Sequence, residues 1–383
     1  MKILVDKEIF IKSWNLAERS AGTSGSMNIF STIRMSAGMT DVELQATDIR
    51  TSVKCRAGGI TVLDPGEAVI PLKGVSDLFK KAGASEFTLS IEDGHAVMTC
   101  GKSRYKFSTY PVGDFPKLPS AKGAEFFCSI PAPRLISAIE RGTLCASSGD
   151  EYPQYLSSAY FEMENGALNV VTTDKRRLAL CRSEVTEGTA SEPMLLPMKG
   201  LREIQRVLAM IDQSLDIKIS CDESQAYFSA EGLEFAIRKV ESKFPNYARI
   251  LPTSHRTAAD IEKTSLVAAI ERVDVVVRDY NRVVFVNLSS NGECTLTGRA
   301  QEFGEAVENI PCITEGEPVV TAFNTRFFLD AVKAIEGPAA KLLFNGNDGH
   351  MLVRSAASDL FISLVAPVEL NREETAALDQ PQE

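Results

Sequence analysis

Two segments 126 residues apart constrain this chain more than any other feature. Ala46-Thr-Asp-Ile-Arg-Thr-Ser-Val-Lys-Cys55 and Thr172-Thr-Asp-Lys-Arg-Arg-Leu-Ala-Leu-Cys181 set Asp48 against Asp174 and Cys55 against Cys181 at one separation. Ile70-Pro-Leu-Lys-Gly74 returns at the same spacing as Leu196-Pro-Met-Lys-Gly200. Phe115-Pro-Lys-Leu-Pro119 is answered by Phe244-Pro-Asn-Tyr-Ala-Arg-Ile-Leu-Pro252, and a fainter third pass begins where Ala268-Ala-Ile-Glu-Arg272 echoes Ser137-Ala-Ile-Glu-Arg141. Landmarks in one order at nearly constant spacing mark a repeated structural unit.

Each pass carries two amphipathic segments among strand-like alternating runs. The first module, over 1–120, has helical spacing at 6–20 (Ile9, Phe10, Trp14) and at 72–81. The second, over 121–254, has it at 131–142 and 198–211, and the third, over 255–370, at 260–278 and 324–336. A chain of 383 residues suits two or three domains of about 100 to 150 residues. The expected fold class is α+β, as three tandem modules of two helices packed on antiparallel sheet. Such modules leave sheet edges free to pair with a neighbour, a geometry that suggests a ring. Residues 371–383 are polar and mainly acidic and are expected to form a disordered tail.

Signatures of chemistry are missing. There is no phosphate loop, dinucleotide fingerprint, His-Glu-x-x-His or nucleophile elbow. Asp93-Gly-His95 and Asp348-Gly-His350 read as tight turns in equivalent places, and His255 falls in a linker, so no His-based catalytic or metal set emerges. The eight Cys lack Cys-x-x-Cys spacing, and buried thiols in a reducing compartment are expected. The start reads as no signal peptide, and no apolar run approaches the ~20 residues of a membrane span. These features point to a cytoplasmic protein with no membrane contact, no metal, no cofactor and no enzymatic activity.

Charge is distributed unevenly. The chain carries −10 overall, whereas its six predicted helices together are net positive. If they face a common interior, Lys73, Lys80, Lys81, Arg134 and Arg141 are candidates to meet phosphates, with Lys199, Arg202, Arg206, Arg326 and Lys333. An acidic exterior would repel stray nucleic acid, and such contacts are non-specific and salt-sensitive.

Several blocks in this order resemble the bacterial DNA polymerase III β subunit, the sliding clamp. They are Ser103-Arg-Tyr-Lys-Phe-Ser-Thr109 with Asp114-Phe-Pro116, Thr173-Asp174 with Arg177-Leu178-Ala179, Lys243-Phe-Pro-Asn-Tyr247 with Arg249 and Pro252, and Val365-Ala-Pro-Val-Glu-Leu370. The resemblance implies three DNA-clamp modules in a head-to-tail homodimeric ring around double-stranded DNA. A clamp loader would place the ring, and it would tether the DNA polymerase III α subunit, other DNA polymerases and repair proteins through short clamp-binding peptides.

The implied partner-peptide pocket comprises Leu156, Thr173, Lys175, Arg176, Arg177, Leu178, Pro245, Arg249 and Ile250, with Leu364, Ala366, Pro367 and Val368 from the last strand. The implied subunit interface sets Tyr105 and Phe107 against Val275 and Val276 of a second copy. Departures from the family are Lys175-Arg176 where many clamps have Gly-His, and Ala366-Pro367-Val368 where many have Met-Pro-Met. They predict a more basic rim and a less plastic pocket. Ser24 lacks an Arg that some relatives place against DNA, Asp150 stands where a DNA-touching Gln occurs, and the tail from 371 is expected to compete weakly at the rim. A repeat-built interaction scaffold that never encloses DNA is the alternative.

Overall fold

The computed structural model describes residues 1–22, 29–149 and 151–369. Ser24, Asp150, Leu370 and the 371–383 tail, all singled out above, lie outside the described residues. Six α-helices appear among them: α1 Lys7–Glu18, α2 Val75–Lys81, α3 Ala132–Gly142, α4 Met198–Leu208, α5 Lys263–Val277 and α6 Thr325–Ala334. All six fall within the predicted segments. None is long and apolar enough to cross a membrane.

Local chemistry sets the helix starts. The Asp6 carboxylate accepts the Ile9 N–H ahead of α1, and Asn324 accepts from Arg326 and Phe327 ahead of α6. Glu262 caps α5 through Ser265 and Thr264, bonds that draw its carboxyl down to about 2. These acceptors satisfy N–H groups that have no partner within the helix.

The matched glycines at 74 and 200 do different work. Gly74 adopts φ +80°, so α2 begins only at Val75 and is shorter than the sequence suggests. Gly200 lies inside α4, where an added Cβ would stand 2.6 Å from Ile237 Cγ2. One glycine ends a strand exit and the other admits close packing.

The described chain forms two compact units: 1–136 with 162–168 and 184–241, and 137–161 with 169–183 and 242–369. In the first, α1 and α2 close over an aromatic cluster of Phe10, Trp14, Phe79 and Phe87. The Trp14 indole N–H donates to Ser76 Oγ at 2.9 Å. A five-stranded sheet runs Ile60–Asp64, Lys2–Asp6, Glu86–Glu92, His95–Cys100, Ser103–Ser108, so the strand carrying Tyr105 and Phe107 is an edge. A nine-stranded sheet includes the antiparallel pair Thr51–Arg56 and Leu233–Arg238, with Val53 opposite Phe235.

In the second unit the sheet passes from Arg177–Glu184 to Phe361–Val365, Met351–Ser355, Ala339–Phe344 and Thr257–Glu262. It continues through Gly304–Gly316, Glu293–Ala300, Val283–Leu288 and Val319–Asn324. Its core holds Leu266, Ile270, Val273, Phe323, Phe328 and Phe344. The seam of the first unit recurs here: Leu178 lies opposite Leu364 as Ser52 lies opposite Ala236. Duplication is thus legible in strand pairing as well as in sequence.

Two expectations about turns and thiols divide. Asp93 and Gly94 form a tight turn at φ +46° and +73°, and Asn165-Gly166 repeats it in the second pass. Asp348-Gly349 does not: the chain between Phe344 and Met351 makes a wider loop in which Gly346, at φ +87°, takes the left-handed position. His350 ends a broad loop rather than a hairpin turn. The eight cysteines are free and seven are buried, and burial pushes the Cys145 and Cys55 thiols up to about 12.

Gly316 pairs with Thr257 at φ +99°, and an added Cβ would collide with the Arg256 carbonyl oxygen. Gly316→Ala is expected to cost about 2–4 kcal/mol, since neither backbone segment can yield cheaply. An unchanged denaturant midpoint would contradict the packing described at this strand end.

Candidate peptide-binding site

The site begins with the turn that opened the sequence argument. Asp174 Oδ1 accepts the N–H groups of Arg176 and Arg177, each at 3.0 Å. Thr173 Oγ1 donates to the Arg177 carbonyl at 2.8 Å and accepts from Lys175 N at 3.1 Å. Lys175 takes φ +73°. Bond for bond, Thr47, Asp48, Ile49, Arg50 and Thr51 build the same turn, with Asp48 accepting from Arg50 and Thr51 and Ile49 at φ +76°. Short polar side chains that cap their own backbone explain why Thr-Asp recurs.

The copies part at the fifth residue. Arg177 extends where Thr51 stops, and its Nε meets Asp174 Oδ2 at 3.0 Å while Nη1 meets Asp330 Oδ2 at 2.9 Å. The guanidinium lies 4.2 Å over the Phe327 ring. With its side chain only 10% exposed, Arg177 ties the turn to α6 and is not an open rim charge, in contrast to its expected place. Lys175, Arg176 and Arg249 are the exposed cations of the set, and no ion pair engages them among the described residues.

Strand pairing supplies the floor. Arg177–Glu184 runs antiparallel to Phe361–Val365, and the Ala366 N–H donates to the Arg176 carbonyl at 2.8 Å. Buried Leu178 and Leu364 are therefore neighbours on one face. Beyond them Ala366, Pro367 and Val368 are half-buried, and the Val368 N–H fixes the chain to the Ala322 carbonyl at 2.8 Å.

Aromatic contacts set the wall. Phe244 stacks on Tyr160 at 4.8 Å and meets Tyr155 edge-on at 5.8 Å. The Asn169 amide donates to the Tyr247 hydroxyl at 3.1 Å. These anchors hold the short helical turn Tyr247–Arg249, and with it half-buried Pro245 and exposed Ile250, near the turn Gln154–Ser157 that buries Leu156. Asp330, Phe327, Tyr155 and Tyr160 were not foreseen. The Lys243-Phe-Pro-Asn-Tyr247 block carried the one signal, two aromatics at helical spacing. The result is an apolar patch with cations at its margin, suited to a short extended segment with apolar anchors.

The other candidate residues are placed as follows. In the first unit Lys80 pairs with Glu18 at 3.2 Å, Arg134 with Glu184 at 3.0 Å, Lys199 with Asp48 at 3.2 Å and Arg206 with Glu203 at 2.5 Å. In the second, Arg141 meets Glu336 at 2.7 Å, Arg326 lies 3.9 Å from Asp330, and Lys333 meets Glu271 at 2.7 Å. Lys73, Lys81 and Arg202 are exposed and have no ion pair among the described residues. Val275 is 50% exposed on α5, but Val276 is only 9% exposed, packed with Val277, Ala300 and Ala306.

Repeated two-helix modules joined by strand pairing define a clamp-type fold, and the cation-edged apolar patch is its candidate binding site. Family models for the N-terminal, central and C-terminal domains of the DNA polymerase III beta subunit match residues 1–119, 129–246 and 248–369. The beta sliding clamp of Synechococcus elongatus is 25% identical, covering 97% of this chain and 100% of the relative. That of Caulobacter vibrioides is 27% identical, covering 90% and 93%. The DNA polymerase III subunit beta of Pseudomonas aeruginosa superposes with a TM-score of 0.90 at 22% identity over 97% of this chain and 100% of that one, a likeness of fold. The chain belongs to the DNA polymerase III beta subunit family, the sliding clamps of DNA replication.

Proposed function

We propose that the protein acts as a non-catalytic processivity factor: a head-to-tail homodimer that encircles duplex DNA and tethers its partners at the apolar patch. The observation that carries this reading is the match to all three beta-subunit domains, together with an apolar floor at the seam built by Arg177–Glu184 and Phe361–Val365. The modules would be 1–120, 121–254 and 255–370, working in the cytoplasm without a cofactor. A clamp loader would place the ring, and the DNA polymerase III α subunit, other polymerases and repair proteins would dock through short peptides. Thr173, Leu156, Leu178 and Leu364 would form the pocket, Lys175, Arg176 and Arg249 its margin.

Encirclement is topological, so retention should depend on the shape of the DNA and little on salt. Loaded onto a nicked circular plasmid, the protein is expected to remain bound through gel filtration at 0.5 M NaCl and to be released when one restriction cut linearises the circle. Equal loss from circular and linear DNA would favour a scaffold that does not enclose DNA. Loss from the circle at high salt alone would mean that phosphate contacts hold it.

A further inference from the structure

A cavity of about 450 Å³ opens in the second unit, lined in part by Pro252, His255, His350, Leu352, Arg354 and Ile362. Strand register ties it to the peptide patch. Leu178 lies opposite Leu364, Leu364 opposite Leu352, and Leu352 opposite Leu343. Residues directly opposite in antiparallel strands share a face. The four leucines therefore form one row across four strands, spanning about 14 Å at ~4.8 Å per strand. That is the reach of about four extended residues.

A chain segment links the two as well. The segment that carries Pro245 and Ile250 past the patch goes on to Pro252 and His255 at the cavity. One leucine row and one chain segment thus join patch and cavity, but their chemistry differs. Arg354 lies opposite Ile362 at the far end, and its Nη1 donates to the Ser355 carbonyl at 3.2 Å. No carboxylate pairs with it among the described residues. Asp359 also borders the cavity, but its carboxylate lies 3.8 Å from the Arg182 guanidinium. The other ionisable groups lining the cavity are His255 and His350.

We propose that this cavity reads a carboxylate. A partner peptide that seats its apolar anchors over Leu178 and Leu364 places an acidic side chain two to four residues away against Arg354, which becomes a specificity-determining residue. A charge-assisted pair with a guanidinium that has no carboxylate partner of its own gives selectivity for acid over amide. This inference rests on the peptide-binding reading of the patch.

The test uses labelled eight-residue peptides with two adjacent apolar residues and a glutamate three positions away on either side, each with a glutamine twin. Binding is measured by fluorescence anisotropy to the full chain and to its Arg354→Gln and Arg354→Lys variants. One glutamate peptide is expected to bind the native protein about tenfold more tightly than its twin. That preference should vanish in Arg354→Gln and persist in part in Arg354→Lys, while the glutamine peptides bind all three proteins alike. Equal binding of glutamate and glutamine peptides to the native protein overturns this inference and leaves the peptide site standing. Failure of every peptide to bind overturns the peptide site, and this inference with it.

Discussion

Asp174→Ala is expected to lower the stability of the second unit by about 2–4 kcal/mol and to weaken partner-peptide binding at least tenfold. The carboxylate accepts two backbone N–H groups and holds one side of Arg177. Charged acceptors of this kind contribute about 1.5–3 kcal/mol each before compensation, and removing one partner of a sheltered ion pair leaves the other poorly solvated. The affinity loss follows because Lys175 and Arg176 are presented by this turn and Leu178 enters the floor from it. Asp48→Ala is the control. It removes the same bonds from the first-unit turn, where Thr51 stands in place of Arg177, so it should cost stability yet leave peptide affinity unchanged. Equal peptide affinity in both variants would separate the turn from the site.

Val275→Asp is expected to convert the proposed dimer to monomers at about 1 micromolar, a weakening of a hundredfold or more, with little change in thermal midpoint. Val275 is half exposed within one chain, so a charge there is harmless until a second copy covers it, when desolvation becomes costly. Val276→Asp is also expected to give monomers, but Val276 belongs to the chain's own core with Val277 and Ala300, so this variant should lose stability too. Sedimentation of the native protein should give twice the 41.7 kDa chain mass. A Val275→Asp protein still dimeric at that concentration would remove α5 from the interface.

Much of the fold was legible because it is repeated. Asp48 and Asp174 do the same local work, and Pro71 and Pro197 both close strands ahead of helices. Where copies diverged, spacing misled. Gly74 and Gly200 align yet adopt different conformations, and Asp348-Gly349 looks like Asp93-Gly94 but lies in a wider loop governed by Gly346. Resemblance named the apolar candidates of the site, whereas the fate of Arg177 could not be read from it. Its partners Asp330 and Phe327 come from α6, about 150 residues away, and only tertiary packing brings them together. For the same reason, sequence alone did not reveal the carboxylates within reach of Lys80, Arg141 and Lys333, all named as candidates to face phosphates.

Those neutralised cations bear on motion along DNA. Of the ten basic residues assigned toward the duplex, only Lys73, Lys81 and Arg202 have no acidic neighbour within ion-pair distance among the described residues. A phosphate approaching any of the other seven must first displace a carboxylate that already occupies the charge. In the proposed ring these carboxylates would act as a lubricant. Each passing phosphate would exchange one weak pair for another, the barrier between successive positions would stay low, and a ring held on by its topology would meet little friction as it travels.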